Sequence, residues 1–246
     1  MSKAEGFRRL HEAPELLVLV NVWDVASAKV VAGLPGCKAI ATASYAIATS
    51  YGYPDGEHIP ADLMIDTIRR IASNVDQPVT ADLEAGYGNV ADTVRRAALA
   101  GAVGANIEDA NGPFDEAVAR ITEAVKAGGP EFVINARTDQ FLGGDNDADE
   151  AIRRGRAFLE AGADCVFVPG VTDIETIRRL VDGIGQRKVS LMGAPGMPPQ
   201  AELEALGVAR LSYGPRTQWI ALGALAERGA ALLDGGALPT NLTALS

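Results

Sequence analysis

Pro78-Val79-Thr80-Ala81-Asp82-Leu83-Glu84-Ala85-Gly86-Tyr87-Gly88-Asn89 begins as a short apolar run and ends in two carboxylates and a glycine-rich turn. Read as a strand, Val79 to Leu83 alternates its side chains between two faces with a period of two. Thr80, Asp82 and Glu84 then share a face. Two acids at the end of one strand repel each other unless a positive group lies between them. A divalent cation answers that need, because Mg²⁺ takes oxygen ligands and commonly uses one or two carboxylates plus water. The plainer alternative is a Glu84 that has left the strand and is solvated, the ordinary fate of an acid at a loop.

The same apolar pattern recurs on both sides of this stretch. Leu16–Val22, Ala39–Thr42, Val103–Glu108, Phe132–Ala136, Cys165–Val168, Val189–Met192 and Ala209–Ser212 read as further buried strands. Helices are expected between them: Val25–Ala32 behind an Asp24 cap, Ala61–Asn74, Ala91–Ala100, Asp115–Ala127, Glu150–Glu160, Thr172–Val181, Pro198–Leu206 and Thr217–Leu233. Phe7–Glu12 reads as a short leading helix, 49–60 and 143–149 as loops, and 234–246 as a loosely held tail. Continuous apolar strands alternating with helices call for a parallel sheet with both faces covered. Eight such units in 246 residues predict a (β/α)₈ TIM-type barrel occupying 1–246 as a single domain. A doubly wound open sheet is the rival, and the count of eight favours the barrel.

Bulk composition narrows the partners. Hydrophobic residues make up 48% and charged residues 22%, enough for a large core. Twenty-two basic against 32 acidic residues, a net charge of −10, argue against nucleic acid. No apolar run is long enough to span a membrane, and the amino terminus has no signal-peptide character. Cys37 and Cys165 read as reduced core thiols of a cytoplasmic protein.

In a barrel of this kind the chemistry collects at the carboxyl ends of the strands. Those ends carry Asn21 and Trp23, Ser44 and Tyr45, Asp82 and Glu84, Asn106, Glu108 and Asp109, then Asn135, Arg137 and Asp139; the later ends are apolar or glycine-rich. An Arg137–Glu108 pair serving structure alone is one account of such residues, but their coincidence at one mouth favours a site. None of the five lysines stands at a strand's carboxyl end, which argues against Schiff-base chemistry. His11 and His58 are too few and too scattered for a zinc site or a Ser-His-Asp arrangement. The Gly193–Gly196 turn reads as a simple turn, and no dinucleotide fingerprint follows the first strand.

Together, Asp82-Leu83-Glu84-Ala85-Gly86-Tyr87-Gly88, Asn21-Val22-Trp23-Asp24, Gly52-Tyr53-Pro54-Asp55, Asn106-Ile107-Glu108-Asp109 and Asn135-Ala136-Arg137-Thr138-Asp139 resemble the motifs of the isocitrate lyase/phosphoenolpyruvate mutase superfamily, in order and spacing, over about residues 14–225. The resemblance implies a Mg²⁺ site, or Mn²⁺ in its place, with Asp82 as main ligand and Asp55, Glu84 and Glu108 holding the ion mostly through water. It implies that Arg137 grips a substrate carboxylate, and that Ser44 and the amides of Tyr45 and Ala46 bind the carboxylate of a 2-oxo acid, with Asn135 nearby. It also implies a homodimer or homotetramer, often with the last helix exchanged between subunits.

Two positions depart from the family pattern. Glu84 stands where an aspartate is usual. The loop Ala110-Asn111-Gly112-Pro113-Phe114 is short and lacks the cysteine of the family lyases. The catalytic candidates are therefore Tyr45, Arg137 and Asn111. The expected activity is C–C cleavage or decarboxylation of a small 2-oxo or 2-hydroxy carboxylate through an enolate. The alternatives are phosphonate P–C chemistry and a catalytically silent 2-oxo-acid binder.

Overall fold

The runs read as strands are strands, and the break in the first of them is what closes the sheet. The computed structural model describes residues 2–143, 146–240 and 242; Gly144 and Asp145 of the expected polar loop, and Asn241 and 243–246 of the expected tail, lie outside the described residues. Among the described residues the strands are β1 (Leu17–Leu19), β2 (Asn21–Val22), β3 (Ile40–Thr42), β4 (Val79–Asp82), β5 (Gly104–Glu108), β6 (Val133–Arg137), β7 (Cys165–Val168), β8 (Val189–Met192) and β9 (Arg210–Ser212). All pair in parallel in one sheet. β1 and β2 are the two halves of the expected first strand, interrupted at Val20. β1 pairs with β9, Leu17 opposite Arg210, and β2 pairs with β3, Asn21 opposite Ala41. One split strand therefore joins both edges of the sheet, and the result is the (β/α)₈ barrel.

The helices are α1 (Lys3–Glu12), α2 (Val25–Ala32), α3 (Ser44–Ser50), α4 (Ala61–Ala72), α5 (Val90–Leu99), α6 (Phe114–Gly128), α7 (Ala148–Glu160), α8 (Ile174–Ile184), α9 (Gln200–Leu206) and α10 (Arg216–Leu233). Several starts are fixed by side-chain caps that accept from the free amides of the first turn. Asp24 accepts from Ser27 N while the Ser27 hydroxyl reaches back to Asp24 N, a reciprocal capping box. Asn89, Asp147 and Asp173 cap α5, α7 and α8 by accepting from first-turn amides, without the reciprocal bond.

α3 is a helix with no counterpart in the sequence expectations, in which only 49–60 reads as loop and 43–48 carries no element. It is seven residues long, has no side-chain cap, and bends two hydroxyls, Thr49 and Ser50, back onto the carbonyls of Tyr45 and Ala46. Burial of Ala46, Ile47 and Ala48 holds it in place, so tertiary packing overrides a weak local signal.

The amino-terminal mouth of the barrel is plugged by α1. Phe7 is fully buried among Leu17, Leu19, Ala39, Ala41 and Val133, which is worth about 2–3 kcal/mol of apolar burial. Outside the barrel, Met64, Ile68, Val94, Ile121 and Phe158 pack the helices onto the strands. α10 behaves differently: of its residues only Gln218 is buried, and the rest of the helix leaves the barrel wall.

Candidate functional site

A cavity of about 180 Å³ opens at the carboxyl ends of the strands, lined by Asn21, Ser44, Tyr45, Asp55, Asp82, Asn106 and Arg137 and by the apolar Leu142, Phe167, Pro169 and Met192. It is smaller than the ~300–1,000 Å³ of sites for drug-sized ligands. A few-carbon acid matches that scale.

Asp82 is the last residue of β4. Its Oδ2 accepts from Ser44 N (3.1 Å) and Ser44 Oγ (2.8 Å), and its own amide donates to Thr42 Oγ1 (2.9 Å). Its Oδ1 is buried and has no protein partner. Ser44, Tyr45 and Ala46 begin α3, where amides lack intrahelical acceptors. Tyr45 lines the cavity and meets the Trp219 ring edge-on at 5.9 Å. The Ala46 side chain is buried outside the lining, and its carbonyl accepts from Gln218 Nε2.

Glu84 is where the structure parts from the alternation argument. β4 ends at Asp82, and Glu84 adopts a left-handed backbone, φ 51°. It has left the strand, so it does not continue the face of Thr80 and Asp82, yet it is only 4% exposed. Its Oε2 accepts from Glu57 N (2.7 Å) and its Oε1 from the Tyr87 hydroxyl (2.8 Å), while Glu57 Oε1 accepts from Tyr87 N (2.6 Å). Glu84 therefore ties the turn after β4 to the loop that carries Asp55. Gly86 in that turn has φ 100°, and a Cβ there would lie 2.6 Å from Val90 Cα, so the position requires glycine.

Arg137, at the end of β6, is held from two sides. Nη1 pairs with Glu108 Oε2 (2.7 Å) and Nε with Asp139 Oδ1 (2.5 Å), and the residue lines the cavity. The ion pair raised as a purely structural account thus exists, and it also aims the guanidinium. Burial works against the arginine's charge, but Glu108, Asp139 and Asp82 outweigh it and raise its pKa. Glu108 is pushed up to about 8, by burial first and then by Asp139, Asp82 and Glu84, against the pull of Arg137. Burial, helped by Asp82 and Asp55, pushes Glu84 up to about 7. Asp55 is raised by its burial and by Asp82.

Asp55, Asp82, Glu84, Glu108 and Asp139 thus crowd one end of the barrel with a single guanidinium among them, and burial first, neighbouring carboxylates second, raises Asp55, Glu84, Glu108 and Asp139. Among the described residues no three acidic, histidine or cysteine side chains converge tightly enough to ligate an ion together. The residues present fit a hydrated divalent cation that takes one direct carboxylate oxygen, the free Oδ1 of Asp82, with the other acids reached through water.

Five expected residues do not line the cavity: Ala46, Glu84 and Glu108, described above, and Asn135 and Asn111. Asn135 is buried below it, donating to Asn106 Oδ1 (2.9 Å) and Ser190 Oγ (3.3 Å). Asn111 is exposed and accepts from Gln140 Nε2. Its loop is rigidly held: Arg154, only 6% exposed, donates to Asp109 Oδ2 and Gly112 O, and Asp109 Oδ1 accepts from Asn111 N and Asp139 N.

Asn21 and Asn106, read only as polar strand ends, do line the cavity, and Asn21 Oδ1 fixes the turn after β9 by accepting from Tyr213 N and Gly214 N. Their place at the carboxyl ends of strands was the signal for both. The apolar wall of Leu142, Phe167 and Met192 gives no sequence signal distinguishable from ordinary core.

Comparison with known proteins agrees with this architecture. The family model described as phosphoenolpyruvate phosphomutase matches residues 7–233. A structure from Burkholderia cenocepacia J2315, provisionally assigned as a phosphonomutase, is 41% identical, with a TM-score of 0.86 over 93% of this chain and 99% of that one. The 2,3-dimethylmalate lyase of Eubacterium barkeri is 30% identical over 94% of this chain and 86% of its own length. A phosphonopyruvate hydrolase solved with oxalate and Mg²⁺ is 28% identical, with a TM-score of 0.85 over 98% of this chain and 93% of that one. The chain belongs to the phosphoenolpyruvate phosphomutase family, within the isocitrate lyase/phosphoenolpyruvate mutase superfamily.

Proposed function

We propose that the protein is a Mg²⁺-dependent carbon–carbon lyase that cleaves or decarboxylates a small 2-oxo or 2-hydroxy carboxylate through an enolate. One observation carries the reading: Asp82, whose Oδ1 is buried and unpartnered, and Arg137, held by Glu108 and Asp139, line the same small cavity. The lyase and oxalate-bound relatives support it. A bound divalent cation would supply Lewis acidity to the oxo and carboxylate oxygens as the bond at C3 breaks.

The chain's own groups supply the rest. Asp82 would hold the ion, with Ser44 fixing its carboxylate from the other side. Arg137, braced by Glu108 and Asp139, receives a substrate carboxylate through Nη2. Phe167, Leu142 and Met192 exclude water from one wall. Tyr45, which lines the cavity, would move the proton at the reacting carbon through its hydroxyl.

The test has two parts. Oxalate mimics the planar enolate of pyruvate, and it should bind only when Mg²⁺ is present; Asp82→Asn should abolish that binding while leaving the fold intact. Oxaloacetate, 2,3-dimethylmalate and phosphonopyruvate should then be assayed against a metal-only blank. Turnover of phosphonopyruvate alone would move the assignment to P–C chemistry. Oxalate binding with no turnover across the panel would make the protein a binder, the reading favoured by a pinned loop after β5 that carries no cysteine, histidine or lysine.

We further propose that the functional form is an oligomer in which α10 packs against a second copy of this chain. Trp219, Ile220, Leu222, Leu225 and Leu233 are exposed along that helix, and an apolar cleft between α10 and α2 is lined by Val30, Leu34 and Ile220.

A further inference from the structure

Directly beneath the cavity, the barrel interior holds a layer of polar side chains that the reading above leaves without a role. In register, Asp82 lies opposite Asn106, Asn106 opposite Asn135, and Ser190 opposite Arg210. Arg210 is 1% exposed, and inside a barrel core a guanidinium is an expensive group to keep. Burial lowers its pKa to about 10, which leaves it charged at neutral pH. It makes one side-chain contact, Nη2 to Asn106 Oδ1 at 3.3 Å, and its Nε and Nη1 have no protein partner.

A guanidinium can only donate, so the atom of Asn106 that faces it must be the oxygen. The same oxygen accepts from Asn135 Nδ2 at 2.9 Å. Two donors from below therefore fix which way the Asn106 amide is turned. With Oδ1 occupied, the side chain presents Nδ2, with its two N–H donors, to the cavity that it lines. That donor stands on the strand next to Asp82, beside the place where an oxo acid's oxygens would gather.

We propose that Asn106 is a substrate-binding residue that donates from Nδ2 to an oxygen of the bound oxo acid that carries or develops negative charge, and that Arg210 is the positioning residue that turns the amide this way. The proposal rests on the oxo-acid reading of the site and adds to it a requirement for an acceptor oxygen next to Asp82. A substrate with only carbon or a donor at that point would leave the amide unpaired.

The test measures oxalate affinity by calorimetry on the full chain in saturating Mg²⁺. Asn106→Asp keeps an acceptor for both Arg210 and Asn135 and changes only the group facing the cavity. It should fold and bind oxalate at least about tenfold more weakly, the scale of a lost hydrogen bond to a charged group. Arg210→Met should weaken binding similarly, and the double variant with Asn106→Ala should be no weaker than Asn106→Ala alone, because Arg210 acts through that amide. Arg210→Lys should restore affinity to within about threefold.

An Asn106→Asp protein that binds like the parent overturns the proposal, as do Arg210 and Asn106 losses that simply add. If Arg210→Met fails to fold, the Asn106→Asp result decides alone. A parent protein that binds no oxalate overturns the underlying reading of the site and this inference with it; a parent that binds while Asn106→Asp binds equally overturns this inference alone.

Discussion

His11 shows how a single buried group ties stability to pH. Its ring is fully enclosed, Nδ1 lies 3.0 Å from Phe7 O, and Nε2 has no partner. Burial, followed by the nearby charge of Arg210, lowers its pKa to about 3. In the unfolded chain the ring takes up a proton near pH 6.5, whereas in the folded chain it stays neutral until far lower pH. Acidification from pH 7 therefore favours the unfolded state, by about 2 kcal/mol at pH 5. Glu84 and Glu108 act in the opposite sense: their raised values mean that the folded state binds protons first as pH falls through 8 and 7. The readout is thus the difference between parent and His11→Gln in urea midpoint across pH 7 to 5. The variant should lose the destabilising slope, and parallel curves would refute the assignment.

At the level of elements, α10 carries the clearest expectation. Leu225 is 66% and Ile220 74% exposed on a helix with one buried residue, an apolar area that a lone subunit would leave in water. Ile220→Glu with Leu225→Glu should shift the protein to monomer in light scattering while the circular dichroism of the barrel persists; an unchanged mass would remove the helix from the interface.

The elements also show what the chain makes legible. Buried parallel strands are nearly continuous apolar runs, so all of them could be read, and Asp24 announced α2 to the residue. α3 could not be read, because its only support is burial under neighbouring elements. Within the site, Asp82, Ser44, Tyr45 and Arg137 were legible as polar residues at strand ends and Asp55 only through the family resemblance, and all five meet in one cavity. Glu84 was read through strand alternation, and a left-handed φ two residues past β4 sent it elsewhere. Arg210 went unnoticed: in the sequence it lies between apolar residues at the start of a strand, and only ring closure places it under Asn106.

For the molecule as a whole, α1 is the stopper of the barrel. Phe7 fills the floor against Leu17, Leu19 and Val133. Phe7→Ala should cost about 3–5 kcal/mol and lower the melting temperature by roughly 10 °C, without altering oxalate affinity at lower temperature. A loss of affinity matching the loss of stability would mean that floor and mouth are mechanically coupled. The split first strand sets a further condition. Leu17 finds its partner only when Arg210 arrives, and Asn21 pairs on the other side with Ala41. At ~5–20 residues per second of synthesis, the beginning of the chain waits roughly ten seconds or more on the ribosome before its neighbour exists. The ring is therefore sealed after translation has passed its last strand, and until then β1 of a nascent chain lacks its strand partner.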